Sequence, residues 1–411
     1  MNNPRPVHAP MRLLRVENDE LMMGGMTVRQ LAAFVGQTPF YAYSREAISA
    51  RISELKSILP SEISIHYAIK ANPMPAVVDY IAGLVDGLDV ASIGELHTAI
   101  ASGMDPAEIS FAGPGKSQAE LAGAIAAGVT LNLESSVELQ RVAVLSDELG
   151  IRAKVAIRVN PDFELKSSGM KMAGGAKQFG IDAEQVPEVL MRLDDMDLHF
   201  RGFQIFSGSQ NLRAESLIEA QSATFDLAFR LAEDAPSPIE VLNIGGGFGV
   251  PYFPGELPLN LEPVSENLAR LLAERRSQLH DTEVVIELGR YLVAEAGVYV
   301  CRVTDKKVSR GELFVVTDGG LHHHLAASGN FGQVIRKNYP VINAHRVYLE
   351  PREAVSVVGP LCTPLDLLGD KIELGTAEIG DYVAVMQSGA YGYSASPHGF
   401  LSHPAPMEVM V

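Results

Sequence analysis

A single lysine stands where covalent chemistry with an aldehyde is possible. Lys70 follows the apolar segment 64–68 and precedes Ala71-Asn72-Pro73, which places it at the C-terminal end of a strand where a helix begins. Desolvation among apolar neighbours favours the neutral, nucleophilic amine that Schiff-base formation requires. An ordinary strand-end lysine that points at water has the same local sequence, and this segment alone favours that interpretation.

Three consecutive glycines form a second candidate feature. Gly245, Gly246 and Gly247 follow the short apolar segment 241–244. Backbone without side chains approaches an anion closely and offers several N–H donors, so this turn suits a phosphate group. A tight turn that binds nothing is the alternative.

A carboxylate ends another apolar segment. Glu287 closes the run 284–287, in which the other three residues are Val, Val and Ile. A buried carboxylate needs a cationic or protonated partner. That partner is either an arginine, such as Arg290 or Arg158, or the protonated ring nitrogen of a pyridine cofactor.

The two cysteines differ in their surroundings. Cys362 lies among prolines and glycines with Asp366 nearby, which suggests an exposed and positioned thiol. Cys301 lies in the middle of a strand and is assigned to packing. Two cysteines without metal-ligand spacing indicate a reducing cytoplasm and no disulfide framework.

Three adjacent histidines, at positions 322–324, raise the question of a metal site. Consecutive residues in regular structure cannot all face one ion, and no carboxylate or further histidine has suitable spacing. We therefore expect no metal.

Composition excludes several classes of protein. The 411 residues are 47% hydrophobic and 20% charged, which fits about two domains with a large core. A formal net charge of −17 disfavours nucleic acid and anionic membranes as partners. The N-terminal 20 residues lack the apolar core of a signal peptide, and no window approaches the roughly 18 apolar residues of a membrane span.

The elements that must position these residues alternate between strand and helix. Apolar, β-rich runs separated by helical periodicity predict a parallel sheet with right-handed crossovers, and eight units match a closed (β/α)8 barrel, with an open doubly wound sheet as the alternative. The predicted strands are 64–68, 87–91, 109–112, 129–133, 153–159, 200–206, 241–244 and 284–287.

After residue 291 the pattern changes to short strands separated by turns. This predicts an antiparallel β-domain at 291–411, after a barrel at 41–290. We expect residues 1–40 to form an N-terminal arm and strands that join the β-domain.

Polar residues gather at the predicted strand ends. In a (β/α)8 barrel the chemistry lies at the C-terminal ends of the strands, so a ring of polar residues there implies one cavity. The phosphate site of such barrels favours the turn after strand seven, where the three glycines lie. Polar residues at these ends include Lys70, Asp89, Glu134, Arg158, Ser209, Glu287 and Arg290.

The sequence resembles the fold-type III pyridoxal-phosphate-dependent amino-acid decarboxylases, which include diaminopimelate, ornithine and arginine decarboxylases. The resemblance covers essentially the whole chain. It is carried by Tyr67-Ala68-Ile69-Lys70-Ala71-Asn72, Asp89-Val90-Ala91-Ser92 with Gly94-Glu95, Gly245-Gly246-Gly247, Glu287 with Gly289-Arg290, Gly359-Pro360-Leu361-Cys362 and Gly389-Ala390-Tyr391.

Within this family the chain is more similar to decarboxylases that act on a glutamyl group held by an acyl-carrier protein, and to exosortase-associated decarboxylases. Segments 245–253, 318–324 and 359–366 carry that likeness. The resemblance implies an alanine racemase-like α/β fold, with a TIM barrel and a C-terminal antiparallel β-domain. It also implies a cytoplasmic homodimer with active sites at the interface.

The resemblance further implies a role for each matched residue. Lys70 would form the Schiff base with pyridoxal 5'-phosphate, Glu287 would pair with the pyridine nitrogen, and Cys362 of the partner subunit would protonate Cα. The other implied cofactor-binding residues are Asp89, Arg158, Phe206, Ser209, Gly245, Gly246, Gly247, Gly289, Arg290 and Tyr391.

Two departures from the family pattern bear on the substrate. Phe206 stands where a histidine usually stacks on the cofactor ring, and Phe cannot hydrogen-bond. Thr363 replaces the acid that usually grips a distal ammonium of the substrate, which argues against ornithine, lysine or diaminopimelate. We expect an acylated or carboxylate-ended substrate, such as a glutamyl group on an acyl-carrier protein. The partner that supplies it is then a small amino-acid substrate or an aminoacyl-carrier protein.

The implied substrate-binding residues are Arg290, Arg336, Tyr339, Thr363 and Asp366. Because Arg336 and Tyr339 stand near the place where diaminopimelate enzymes bind a distal carboxylate, diaminopimelate decarboxylation remains an alternative, as do ornithine and lysine decarboxylation. Two less favoured alternatives are a racemase and a non-catalytic cofactor carrier. A racemase of this fold generally pairs the pyridine nitrogen with arginine, so Glu287 argues against it. A cofactor carrier would show the barrel lysine alone, whereas this chain has a β-domain with Cys362 and Tyr391.

Overall fold

The computed structural model describes residues 6–163, 170–171, 175–279, 281–348 and 350–411. The chain divides into two compact units. The barrel unit comprises Ile52–Gly249 and Leu259–Gly289. The β-unit comprises Met1–Arg51, Val250–Pro258 and Arg290–Val411.

The barrel unit contains eight parallel strands that close on themselves. Each strand pairs with the next, and β8 pairs with β1. The predicted (β/α)8 barrel is confirmed, and the strand ends differ from the prediction by at most two residues. The strands are β1 (Ile63–Ala68), β2 (Gly87–Val90), β3 (Ile109–Phe111), β4 (Thr130–Leu133), β5 (Lys154–Asn160), β6 (His199–Ile205), β7 (Val241–Gly246) and β8 (Glu283–Leu288).

Helices cover the strands, and the sequence indicates where several of them begin. After β2, β3 and β4 a serine caps the following helix by accepting a hydrogen bond from the backbone N–H of a glutamate three residues later. Such caps satisfy an otherwise unpaired N–H donor. The helices of this unit that follow β1 are Pro75–Ala82, Ile93–Ala101, Gln118–Ala127, Ser136–Leu149, Val186–Asp194, Ala214–Ala232 and Glu262–Glu274, and Arg45–Ile58 precedes β1.

The β-unit is built on an eight-stranded sheet. Most of its pairs are antiparallel, as predicted, but Glu312–Thr317 pairs in parallel with Arg352–Val358, and Met407–Met410 pairs in parallel with Phe40–Tyr43. Its strands are Phe40–Tyr43, Gly297–Ser309, Glu312–Thr317, Val341–Asn343, Arg352–Val358, Leu367–Gly375, Tyr382–Val385 and Met407–Met410.

The N-terminal part of the chain contributes to the β-unit in two ways. Strands Arg15–Glu17, Glu20–Met23 and Met26–Thr27 form a small sheet of their own, followed by the helix Val28–Val35. Phe40–Tyr43 joins the large sheet by pairing with Gly297–Ser309. The first five residues of the expected arm lie outside the described residues.

The core of the β-unit joins these N-terminal elements to the large sheet. Leu21, Leu31, Phe40, Val298 and Met386 are all buried in one apolar cluster. None of the described helices is long and apolar enough to cross a bilayer.

Candidate active site

Lys70 and Glu287 meet at the seam between β1 and β8. Lys70 lies in the 3-10 turn Ile69–Ala71 that directly follows β1. Its Nζ is 3.5 Å from Oε1 of Glu287, whose side chain is 6% exposed. The two strands are neighbours because the barrel closes there, so the predicted amine and carboxylate share one corner of the site.

Gln204 holds the other oxygen of this carboxylate. Its Nε2 donates to Oε2 of Glu287 at 2.7 Å, and both side chains are buried. Inspection of the sequence missed Gln204. It lies two residues before Phe206, and the period of two in a strand would have placed both on the same face.

Phe206 lies close to the lysine. The Nζ of Lys70 is 6.0 Å from the centre of the Phe206 ring. An aromatic face at this distance suits stacking against a flat ring and attracts a cation. The structure therefore brings Lys70, Phe206 and Glu287 together in one part of the barrel.

Close packing of the backbone requires the glycines at the end of β7 and just after it. A Cβ on Gly246 would lie 2.3 Å from the carbonyl oxygen of Glu287, and one on Gly247 would lie 2.2 Å from that of Gly208. Gly247 also has a φ of +73°, a conformation that disfavours side chains. No residue with a side chain fits this turn without movement of the neighbouring strands.

Ser209 lies beside this turn. The N–H of Asn211 donates to the carbonyl of Gly247 at 2.9 Å, and the N–H of Gly249 donates to the carbonyl of Asn211 at 2.8 Å. These bonds fix the segment after β6 against the glycine turn. The result is a side-chain-free turn with Ser209 in the adjoining segment, an arrangement that suits a phosphate group.

Gly289 lets the chain after β8 approach the lysine turn. A Cβ at this position would lie 2.9 Å from the Cβ of Ala71 and 3.2 Å from the carbonyl oxygen of Ala68. The glycine thus supports the turn that carries Lys70.

Asp89 lies at the end of β2, next to the strand that carries Lys70. It accepts a hydrogen bond from the hydroxyl of Ser110, and its Oδ1 is 3.5 Å from Nδ1 of His66. Burial lowers the pKa of His66, but the negative charges of Asp89, Glu283 and Glu108 outweigh burial and raise it overall.

Arg158 pairs with a carboxylate other than Glu287. Its Nη1 is 2.8 Å from Oε1 of Glu134, and its guanidinium lies 4.9 Å from the centre of the Phe179 ring. Glu134 also accepts from the N–H groups of Gly113 and Gly180, at 2.6 and 2.8 Å. Arg158 therefore organises the loops after β3 and β5.

A second buried pair supports the same loops. The Nζ of Lys116 is 3.0 Å from Oε1 of Glu138 and donates to the carbonyls of Gly113 and Asn132. Burial lowers the pKa of Lys116, and the charge of Glu138 opposes that shift.

In the β-unit, Arg290 and Tyr391 form an aromatic and cationic cluster. The Arg290 guanidinium lies 4.7 Å from the centre of the Tyr391 ring. Its Nη1 donates to the hydroxyl of Tyr252 at 3.3 Å. Tyr252 lies within segment 245–253, but the sequence analysis assigned it no role of its own.

The two cysteines have the environments that the sequence suggested. Cys362 is exposed and Cys301 is buried. Burial raises the pKa of the Cys301 thiol, so that this residue stays a neutral packing group.

Asp366 supports the loop that carries Cys362. Its Oδ1 accepts from the N–H of Leu321 at 2.6 Å and its Oδ2 accepts from that of Leu361 at 2.8 Å. The residue is 3% exposed, and burial raises the pKa of its carboxyl group. Thr363, beside the cysteine, accepts from the N–H of Leu365 at 3.3 Å.

Arg336 and Tyr339 also belong to the β-unit. Arg336 donates from Nη2 to the carbonyl of Leu367 at 2.9 Å. Tyr339 is buried, with its ring 4.6 Å from that of Tyr252, and burial raises the pKa of its phenol.

The three adjacent histidines are packed inside the β-unit. His324 is hydrogen-bonded to the hydroxyl of Ser388 at 2.8 Å, and His323 to the carbonyl of Pro404 at 2.8 Å. Burial lowers the pKa of His324 to about 3, so this ring is neutral at physiological pH.

Comparison with known proteins agrees with this geometry. Residues 45–294 match the family model described as pyridoxal-dependent decarboxylase, pyridoxal binding domain. The chain is 38% identical over 385 residues to the L-glutamyl-(BtrI acyl-carrier protein) decarboxylase of Niallia circulans, covering 91% of this chain and 89% of that protein. It is 31% identical to the diaminopimelate decarboxylase of Aquifex aeolicus, covering 97% and 92%.

Solved structures are similar as well. The diaminopimelate decarboxylase of M. jannaschii superposes with a TM-score of 0.88 at 27% identity, covering 97% of this chain and 92% of that one.

Proposed function

The chain belongs to the pyridoxal-dependent decarboxylase family, and on that premise we propose that it removes the α-carboxylate of an amino acid whose distal end is acylated or carries a carboxylate. A glutamyl group held by an acyl-carrier protein is the substrate that we favour, since a relative covering most of the chain is named for it. Pyridoxal phosphate is the cofactor of the family.

The barrel unit has the groups that this cofactor needs. When bound, pyridoxal phosphate would supply the electron sink for the bonding pair that stays on Cα when CO2 leaves. Lys70 offers the amine for the aldehyde, the glycine cradle with Ser209 offers donors for the phosphate, and Glu287 offers a buried acceptor for a protonated ring nitrogen. Gln204 keeps that carboxylate oriented.

Proton balance requires one further group. Loss of CO2 leaves a pair of electrons at Cα that must receive one proton. We assign this proton to the exposed thiol of Cys362 of the partner subunit, so that two copies of the chain build each site. Such a reactive thiol persists in a reducing cytoplasm, where we place the enzyme.

The hydrogen bonds of Asp366 support the proposal that the distal end of the substrate is acylated or carries a carboxylate. Asp366 is the acid of segment 359–366, all of which is described, and both of its oxygens accept hydrogen bonds from backbone N–H groups. Thr363 cannot offer a charge. A substrate with a free distal ammonium therefore finds no available carboxylate in this segment, and an unpaired charge on binding is costly.

Diaminopimelate is the second candidate. Several relatives and solved structures are diaminopimelate decarboxylases, and Arg336 supplies a cation that suits a distal carboxylate. This substrate nevertheless carries a distal ammonium as well, for which Thr363 offers no charge.

The deciding experiment measures CO2 release and product chirality with a panel of substrates. The panel contains glutamate loaded on a carrier protein, free glutamate, diaminopimelate, ornithine and lysine. We expect kcat/KM for the carrier-bound glutamyl group to exceed that for each diamine by about 10²-fold or more. Rapid CO2 release from a free diamine would contradict the proposal, and racemisation without CO2 would contradict the chemistry.

A substitution beside Cys362 tests whether the missing negative charge at position 363 excludes substrates with a distal ammonium. Thr363→Glu restores a negative charge, and we expect it to raise kcat/KM for diaminopimelate or lysine by about 10-fold. Thr363→Val keeps the shape without the charge and is the matched control. An equal effect of both variants would show that charge at position 363 does not select the substrate.

A further inference from the structure

The N-terminal end of the barrel holds a second cluster of ionisable side chains, of which His66 is buried and Glu108 and Glu283 are partly exposed. His66 of β1, Glu108 just before β3 and Glu283 at the start of β8 each place a potential ligand atom within 4.8 Å of the others. Glu283 and Glu287 lie on one face of β8 but four residues apart, which corresponds to about 13 Å along the strand. This cluster is therefore distinct from the site around Lys70.

A small cavity joins these three residues. Its volume is about 30 Å³, and His66, Glu108, Glu283, Ser110, Asn132 and Asn243 are among the residues that line it. One water-sized sphere needs roughly 10–15 Å³ of such space. The cavity therefore has room for a single ion with little accompanying water.

His66 points into this cavity without a hydrogen bond. The residue is 6% exposed; its Nδ1 lies 3.5 Å from Oδ1 of Asp89 without forming a hydrogen bond, and its Nε2 has no hydrogen-bond partner. A Cβ on Gly87 would lie 2.3 Å from Nε2, so the glycine makes room for the ring. Because a buried polar group without a partner is costly, the imidazole is expected to meet a ligand.

The charge around the cavity favours a cation. Glu108 and Glu283 line it, and Asp89 lies 3.5 Å from Nδ1 of His66. Arg201 also lines the cavity and its positive charge acts on Glu108, but it shares that charge with Glu240, whose Oε2 is 2.8 Å from its Nε. The carboxylates at the cavity therefore outnumber the available cations.

We propose that this cavity binds one divalent transition-metal ion through a ring nitrogen of His66 and one carboxylate oxygen each from Glu108 and Glu283. An imidazole with two carboxylates suits Zn²⁺ or Mn²⁺, whereas Mg²⁺ prefers oxygen ligands and retains its water. The ion would tie β1 to β8 and to the turn before β3, and so stabilise the closed barrel.

The test uses the full-length holoenzyme, freed of metal with a chelator and dialysed separately against Zn²⁺, Mn²⁺ and Mg²⁺. We expect about one equivalent of Zn²⁺ or Mn²⁺ per chain by elemental analysis, and a Tm higher by several degrees, because a ligand that binds only the folded state stabilises it. Mg²⁺ at the same concentration should give neither effect.

Two variants locate the ion and a third is the control. Glu283→Gln and Glu108→Gln each remove one ligand charge and should weaken binding by about 10-fold to 100-fold. The two variants together guard against one of them failing to fold. His403→Gln removes a histidine of the β-unit and should keep full binding.

Three outcomes would overturn the proposal. These are no uptake of Zn²⁺ or Mn²⁺ by the wild-type chain, full uptake by both glutamine variants, or loss of uptake in His403→Gln.

Discussion

Lys70 acquires its chemistry from the residues that surround its amine. Glu287 lies 3.5 Å away, Phe206 offers an aromatic face, and Gln204 fixes the far oxygen of the carboxylate. The same lysine at the end of an isolated strand would be an ordinary solvated cation. Its proposed function thus depends on neighbours in and just after β6 and in β8.

Lys70→Ala removes the amine that is proposed to hold the cofactor aldehyde. We expect loss of the visible absorbance of the bound cofactor and a fall in CO2 release of about 10²-fold or more, because the amine that holds the aldehyde is absent. Lys56→Ala, on the exposed side of a helix, should keep both properties. A wild-type protein that stays colourless with added pyridoxal phosphate would refute the cofactor assignment.

The two cysteines provide a matched pair of substitutions. Cys362→Ala should retain the cofactor absorbance but lower turnover by about 10²-fold to 10⁴-fold, because the proton donor is removed. Cys301→Ala should retain turnover and lower the free energy of unfolding by about 1–2 kcal/mol, since it empties part of a buried packing position. Unchanged turnover in Cys362→Ala would remove its proposed role.

The proposed phosphate cradle depends on two neighbouring segments of the barrel. The turn after β7 and the segment after β6 are joined by backbone hydrogen bonds, and the glycines permit the approach. Side chains at these positions would separate the two segments. The cradle is thus a property of two neighbouring strand ends.

Gly246→Ala tests this element. The added methyl group would meet the carbonyl oxygen of Glu287 at 2.3 Å, and we expect a loss of about 1–3 kcal/mol in the free energy of unfolding together with weaker cofactor binding. Gly115→Ala is the control, because nothing lies within 4 Å of its added methyl group. Thermal unfolding and titration with pyridoxal phosphate are the measurements. Equal stability and affinity of the two variants would contradict the close-packing argument.

The residues proposed to take part in the reaction come from both units of the chain. Lys70 and Glu287 belong to the barrel unit, whereas Cys362, Arg290 and Tyr391 belong to the β-unit. If each site takes its thiol from the partner subunit, neither a barrel nor a single chain suffices. The proposed dimer is therefore a catalytic requirement that solution experiments can test.

Mixing two inactive variants tests this requirement. Lys70→Ala and Cys362→Ala, unfolded and refolded together in equal amounts, should recover about a quarter of wild-type activity, because half of the dimers are mixed and each mixed dimer has one intact site. Each variant alone, treated in the same way, is the control. No recovery despite dimer exchange would show that the lysine and the cysteine of one chain act together.

The alternation of apolar strands and amphipathic helices determined the barrel. It also determined which residues stand at strand ends, because the period of a strand and the chemistry of a turn are local properties of the chain. Lys70, Glu287 and the three glycines were recognised in this way. These signals require no knowledge of which strand lies beside which.

Only the tertiary structure decided the partners. Arg158 pairs with Glu134, and Gln204 donates a hydrogen bond to Glu287. The carboxylate oxygens of Asp366 accept hydrogen bonds from two backbone N–H groups, and His66 lines a small cavity of the barrel. Each of these contacts joins elements whose relative register is set by closure of the barrel or by the pairing of the second sheet. The physical reason is that spacing along a chain reports the direction of a side chain, whereas its partner depends on packing between distant segments.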